Sequence, residues 1–69
     1  MQQKIKVADL VACSQSTFSE AIKSAVEEAQ RTLGRLEGVE IAPPWIVLFT
    51  KDGKVEFRTT VRVHYRSDD

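Results

Sequence analysis

A single amphipathic helix dominates this 69-residue chain, and the segment that encodes it is TFSEAIKSAVEEAQRTLGRL (residues 17–36). Thr17 and Glu20 have the spacing of a capping box, which satisfies orphan backbone N–H groups at a helix start. The pattern predicts a helix over residues 18–36, with Gly38 as its C-terminal stop. Apolar side chains recur at intervals of three and four residues, as one stripe of a helix requires: Phe18, Ala21, Ile22, Ala25, Val26, Ala29, Leu33 and Leu36.

Three predicted strands surround this helix. Residues 4–12 nearly alternate apolar and other side chains, and residues 55–66 alternate cleanly, as half-buried strands do. Residues 39–50 form the third strand, in which Pro43-Pro44 predicts a bulge, a bend or an edge, because proline cannot donate to a ladder. The Asp-Gly pair within residues 51–54 predicts the hairpin turn that follows.

The order of these elements defines the fold class. It predicts an α+β fold in one domain, residues 1–69: a β-α-β-β protomer whose three-stranded antiparallel sheet wraps around one long helix. A domain of this size buries only about 60% of the surface of its unfolded chain, and the lone Cys13 allows no internal disulfide. We therefore expect an obligate oligomer, in which the polar face of the last strand lines a subunit interface or an internal cavity.

Charge and hydropathy exclude several classes of function. Ten Lys and Arg residues balance ten Asp and Glu residues, so no net field favours nucleic acid or an anionic membrane. No apolar run approaches the roughly 20 residues of a membrane span. The N-terminus lacks the apolar region of a secretory signal. We expect a cytoplasmic protein that binds neither nucleic acid nor a membrane.

Catalytic and metal-binding motifs are weak. Cys13 and His64 are the candidates for a nucleophilic Cys-His pair, and nothing in the sequence brings them together, so we expect no enzyme activity. No loop has an EF-hand pattern. The sequence does not exclude a calcium site shared at a symmetry axis, because such a site would leave no local motif. Its oxygen ligands would come from Asp52, Glu56, Asp68 and Asp69.

Two further features each allow two interpretations. Arg58, Arg62, His64 and Arg66 form a basic row on one face of the last strand. The row either binds an anion or is paired with acidic neighbours, and the zero net charge favours pairing. Trp45, the single tryptophan, either stacks on a planar ligand or packs in the core or an interface. The apolar residues that follow it favour packing.

Four segments carry a family resemblance. Residues 16–33, which end in Ala-x-x-Thr-Leu, are followed by residues 39–41 (Val-Glu-Ile), 53–55 (Gly-Lys-Val) and 61–66. Together they resemble the dodecin family. The resemblance implies a hollow homododecamer with the helices outside and the free sheet faces inside. It also implies a non-enzymatic protein that stores riboflavin, lumichrome or FMN, stacked in pairs near two-fold axes. Some relatives are described as binding calcium, and others bind coenzyme A.

Two positions depart from the pattern of the flavin-binding members. Those members have Leu-x-Trp-Phe-Glu-Val after the helix, with the tryptophan as stacking platform, whereas Gly38 stands at that position here. Their last strand has Tyr-Gln-Val, whose glutamine bonds the flavin, and Arg58 replaces it. Arg58 can only donate, and its charge suits a phosphate or carboxylate. The resemblance implies a flavin site at Gly38 and Arg58. Our hypothesis is that Trp45 partly compensates for the missing tryptophan by reaching a neighbouring pocket. The alternative is a cage without flavin that holds calcium or is structural.

Overall fold

A computed structural model describes residues 4–67 of the chain. The elements are β1 (Lys4–Ser14), α1 (Phe18–Leu33), β2 (Leu36–Phe49) and β3 (Val55–Ser67). The strands form one antiparallel sheet in the order β1-β3-β2, so β3 is central. The predicted β-α-β-β protomer with a three-stranded antiparallel sheet and one helix is confirmed. The described residues include no helix long and apolar enough to cross a membrane.

The core lies between α1 and the centre of the sheet. The helix turns Ala21, Ala25 and Ala29 toward the sheet, where all three are buried. Their small side chains let the helix approach Val61 and Val63 of β3, which have no exposed surface. Larger residues of the predicted stripe pack around this cluster without being fully buried: Ile22, Val26 and Leu33.

The helix begins where the sequence predicts and ends earlier. Thr17 Oγ1 accepts a hydrogen bond from Glu20 N at 3.0 Å, which confirms the predicted N-cap. The predicted end at Leu36 is wrong, and so is the assignment of Gly38 as the stop. The helix ends at Leu33 because Gly34 takes φ +87°, a conformation that suits glycine and breaks the helix. Leu36 already begins β2.

The strands are longer than predicted. β1 continues through Cys13 to Ser14, two residues past the predicted end, and β2 begins three residues early. The predicted irregularity at Pro43-Pro44 is confirmed: this peptide bond is cis, and the pairing of the edge strand β2 with β3 shifts register between Ala42 and Ile46. The turn at residues 51–54 is also confirmed, since Thr50 N donates to Lys54 O at 2.8 Å.

The helix covers one face of the sheet and leaves the other uncovered. Successive side chains of a strand point to opposite faces, so the neighbours of buried Val61 and Val63 on β3 point away from the helix. We call this uncovered surface the open face. Its residues are Ile5, Val7, Asp9, Val11 and Cys13 of β1, Gly38, Glu40, Ala42, Ile46 and Leu48 of β2, and Glu56, Arg58, Thr60, Arg62, His64 and Arg66 of β3.

Candidate ligand-binding face

An ion pair between β1 and β3 lies in the middle of the open face. Asp9 and Arg62 are directly opposite in register. Arg62 donates from Nε to Asp9 Oδ1 at 2.9 Å and from Nη2 to Oδ2 at 3.2 Å. These hydrogen bonds lower the pKa of the Asp9 carboxyl and raise the pKa of Arg62. The two-bond geometry fixes the plane of the guanidinium.

The rest of the basic row is paired in the same way. His64 Nε2 donates to Glu40 Oε1 at 2.7 Å, and Arg58 Nε donates to Glu56 Oε2 at 3.0 Å. The bond to Glu56 raises the pKa of Arg58. Glu37 binds two arginines, with its Oε2 3.1 Å from the Nε of Arg66 and 3.2 Å from the Nε of Arg35. The prediction that acidic neighbours pair with the basic row is therefore confirmed.

An apolar strip runs along β1 beside these ion pairs. Ile5, Val7 and Val11 lie on the open face with 54%, 52% and 65% of their surface exposed. Asp9 separates Val11 from the other two, and exposed apolar residues grouped in this way on one face mark interaction surfaces in soluble proteins. The open face thus joins an apolar strip to a row of basic side chains that are paired with acidic ones.

The structure places two of the three predicted ligand-binding residues on the open face, far apart. Gly38 is opposite His64, and Arg58 is opposite Cys13 and Ile46. His64 and Arg58 are six residues apart on β3, which corresponds to about 20 Å along an extended strand. One chain therefore does not bring Gly38 and Arg58 together around one small ligand.

The third predicted residue, Trp45, lies on the helix side of the sheet. Its ring centroid is 4.9 Å from that of Phe18, and the Phe18 centroid is 5.1 Å from that of Phe57. Both contacts are edge-to-face, which is a favourable aromatic geometry. Trp45 is still 51% exposed. Within one chain it packs against the start of the helix and is apart from Gly38 and Arg58.

The catalytic and metal-ligand candidates do not converge either. Cys13 pairs in register with Arg58, so it is about 20 Å along β3 from His64. Within residues 4–67, no group of three His, Cys, Asp or Glu side chains is placed to hold a metal ion. Of the four oxygen donors, Asp52 contacts Thr50 and Glu56 bonds Arg58, while Asp68 and Asp69 lie outside the described residues.

Asp9 and Glu40 are the residues of this face that sequence reasoning missed. Each contacts a member of the basic row from a neighbouring strand: Asp9 forms an ion pair with Arg62, and Glu40 accepts a hydrogen bond from His64. A signal for Asp9 exists in the sequence, because it is the one charged residue that interrupts the apolar parity of Ile5, Val7 and Val11. Glu40 has no comparable signal, since its contact depends on the register of β2 against β3.

These features define a class of protein. It is a small β-α-β-β protomer whose sheet has one face covered by the helix and one open face, which carries an apolar strip and pairs of basic and acidic side chains. The sequence matches the Dodecin family model over residues 5–68. The chain belongs to the dodecin family. No match was found among curated proteins.

Solved structures of dodecins share this fold. The dodecin from Streptomyces davaonensis superposes with a TM-score of 0.84 at 22% identity and covers 100% of both chains. A mutant of the Thermus thermophilus dodecin gives 0.83 at 24% identity, over 99% of this chain and 100% of that one. A calcium-chelating antigen of Mycobacterium tuberculosis, calcium dodecin, gives 0.84 at 18% identity, over 94% and 91%. At these identities the similarity shows the fold alone.

Proposed function

We propose that this chain assembles in the cytoplasm as a homododecamer that binds and stores a flavin, riboflavin or FMN, or a related planar molecule. It has no enzymatic role in this proposal. The observation that carries the proposal is the open face, where exposed Val7 and Val11 adjoin the Asp9–Arg62 ion pair and the His64–Glu40 hydrogen bond. Such a surface suits contact with other copies and with an aromatic ligand held between them.

The small core supports the assembly. The fully buried apolar residues among residues 4–67 are alanines and two valines, Val61 and Val63. Burial of apolar surface contributes about 25 cal/mol per Å², so a core of small side chains supplies little of the free energy that ordering a chain requires. Covering the apolar strip of the open face with a second copy adds to that buried surface.

The separation of Gly38 and Arg58 supports a ligand held between copies. The two positions are about 20 Å apart along β3, farther than one flavin ring system extends. Both contact one ligand only if they come from different subunits. The same holds for Trp45, which packs against Phe18 on the helix side of its own chain and, in this proposal, contacts a ligand of a neighbouring copy.

In this proposal Arg58 takes the place of a hydrogen-bonding side chain. A guanidinium has five N–H donors, and the Nε and Nη2 atoms of Arg58 bond Glu56. The donors that remain can bond a flavin carbonyl or an FMN phosphate. Because Glu56 already neutralises the charge, we expect riboflavin and FMN both to bind.

A flavin titration of the purified oligomer tests the proposal. Native mass spectrometry first gives the number of subunits, and quenching of riboflavin and FMN fluorescence then gives the dissociation constant. We expect twelve subunits and saturable quenching at micromolar concentration or below. A monomeric mass would contradict the assembly, and an oligomer that leaves flavin fluorescence unchanged at tens of micromolar would contradict the ligand.

The same sample tests the calcium alternative. Asp9, Glu37 and Glu56 each form an ion pair with an arginine, so calcium would have to displace a guanidinium to use these carboxylates. We expect no calorimetric signal for Ca²⁺ under the conditions in which flavin binds. Saturable Ca²⁺ binding without flavin binding would favour the ion-holding cage.

A further inference from the structure

We propose that His64 is the stacking platform of the open face, where its imidazole ring contacts the flat face of the bound ligand. This inference rests on the proposed function and names the residue that would carry ligand affinity. Among residues 4–67, the positions of the aromatic rings decide which side chain of this chain a ligand on the open face can stack on. His64 is the single ring on the open face in this part of the chain.

The other rings are on the helix side. Phe18, Trp45 and Phe57 contact one another there. Tyr65 packs against the buried core. Phe49 follows Leu48 of the open face and therefore points to the helix side, and it pairs with Val55. A planar ligand that lies on the open face therefore finds one aromatic ring of this chain on which to stack.

Gly38 leaves space beside that ring. It is directly opposite His64 on β2, and a Cβ added to it would have no atom within 4 Å. Cross-strand neighbours of this kind have their Cβ positions about 5 Å apart, so a side chain without a planar face at residue 38 would compete with the ligand for the surface beside the imidazole. Without a side chain there, one edge of the ring surface is accessible.

Glu40 contacts the imidazole at its edge, so their hydrogen bond does not occupy a face of the ring. The bond from His64 Nε2 to Glu40 Oε1 is 2.7 Å long, and an N–H of imidazole lies in the plane of the ring. A ligand that stacks on the ring therefore does not compete with this bond. The carboxylate also limits rotation of the ring, which lowers the entropy lost on binding.

The charges around His64 favour an uncharged ring system. Arg62 and Arg66, two residues away on either side on β3, form ion pairs with Asp9 and Glu37. Val7 is its neighbour on β1. The ring thus lies between an apolar side chain and neutralised ion pairs, an environment that suits a flat heteroaromatic ring better than a free anion.

Two substitutions separate stacking from the bond to Glu40. His64→Gln keeps an N–H donor for Glu40 and removes the ring, whereas His64→Phe keeps a ring and removes the donor. Thr60→Ala, on the same face of β3 and four residues away, is the matched control. Each full-length variant is first checked for the wild-type native mass and then titrated with riboflavin.

We expect His64→Gln to weaken riboflavin binding by about 5- to 150-fold, the range found for aromatic stacking in nucleic-acid sites. His64→Phe and Thr60→Ala should bind within about threefold of the wild type. The opposite order, with His64→Gln unchanged and His64→Phe weakened, would overturn stacking while leaving the proposed function intact. If the wild-type oligomer itself binds no flavin, the proposed function fails and this inference fails with it.

Discussion

Asp9 and Arg62 are 53 residues apart in the sequence, yet two hydrogen bonds, of 2.9 and 3.2 Å, join them across β1 and β3. On the other side of Arg62, Glu40 is its neighbour on β2. The pair therefore links the first and last strands at the centre of the open face. It forms only in this register of β1 against β3.

This pair predicts how stability depends on pH. Because Arg62 lowers the pKa of Asp9 below its ordinary value of 3.8, the contribution of the pair is fully present above that value and is lost as the pH falls through the lower pKa of the folded state. We expect the coupling free energy between the two residues to shrink below about pH 4. A double-mutant cycle of Asp9→Asn and Arg62→Gln, followed by urea unfolding at fixed protomer concentration, measures it.

The single variants supply the control. Asp9→Asn removes the titrating group, so its unfolding midpoint should fall less than that of the wild type between about pH 5 and pH 3. Both side chains are exposed, and the effect is correspondingly small. A coupling of the same size at neutral and acid pH would show that the hydrogen bonds do not depend on the charge of Asp9.

Most of the fold could be predicted from the sequence because its elements have local patterns. The alanine stripe and the Thr17 cap fix the start of α1, and the Asp-Gly turn fixes the β2–β3 hairpin. The end of α1 could not be predicted in the same way. Leu36 happens to continue the helical spacing, but it belongs to β2, where it pairs with Tyr65. Periodicity alone does not show that Gly34 has left the helix.

The candidate site was less predictable, because its contacts cross strands. The basic row on β3 is visible in the sequence, and its neutralisation followed from the net charge. The identity of each partner depends on register, however, and one residue of slippage would move Asp9 to the other face. Likewise, Gly38 pairs with His64 because the register shifts between Leu36 and Gly38. No local sequence pattern predicts this shift.

The N-cap of α1 predicts a measurable loss of stability. Thr17→Ala removes the acceptor for Glu20 N, and such caps contribute about 1 kcal/mol. We expect the free energy of unfolding to fall by about that amount in urea denaturation. Thr32→Ala is the matched control, because Thr32 Oγ1 bonds the Glu28 carbonyl within the helix and such bonds do not stabilise helices. Equal losses in both variants would contradict the capping role.

Two glycines predict opposite responses to alanine. Gly34 has φ +87°, where a Cβ is strained, so Gly34→Ala should destabilise the fold by about 1 kcal/mol or more. Gly38 is not among the glycines with positive φ, and a Cβ there meets nothing within 4 Å. Gly38→Ala should therefore be neutral or slightly stabilising. Thermal unfolding of both variants at one protomer concentration compares them directly, and a larger loss in Gly38→Ala would contradict this reading of the backbone.

Substitutions of Trp45 test its role in stability and its role in ligand binding separately. Trp45→Ala removes the edge-to-face contact with Phe18, and aromatic pairs contribute about 0.5–1.5 kcal/mol beyond the area they bury. We expect a loss of stability of about that size, because the ring is half exposed. Trp45→Phe should restore most of it. If Trp45 also reaches a ligand on a neighbouring copy, Trp45→Ala will weaken flavin binding as well, and unchanged affinity would remove Trp45 from the proposed site.

We expect the substitution Gly38→Trp to raise the affinity for flavin. The backbone at residue 38 needs no glycine, and a Cβ added there has no neighbouring atom within 4 Å. An indole there would add a second ring beside His64, the residue directly opposite. Stacking on an aromatic ring contributes about 1–3 kcal/mol. We therefore expect riboflavin to bind about 5- to 150-fold more tightly than to the wild type, measured by fluorescence quenching of the intact oligomer.

The control separates the ring from mere bulk. Gly38→Leu fills the same space with an apolar side chain that has no planar face, so it should leave affinity unchanged or lower it by obstructing His64. A double variant, Gly38→Trp with His64→Gln, should recover the affinity that His64→Gln alone loses, because the ring has then moved from β3 to β2. If Gly38→Trp and Gly38→Leu weaken binding equally, the surface beside His64 must stay open for the ligand and residue 38 does not provide a stacking position.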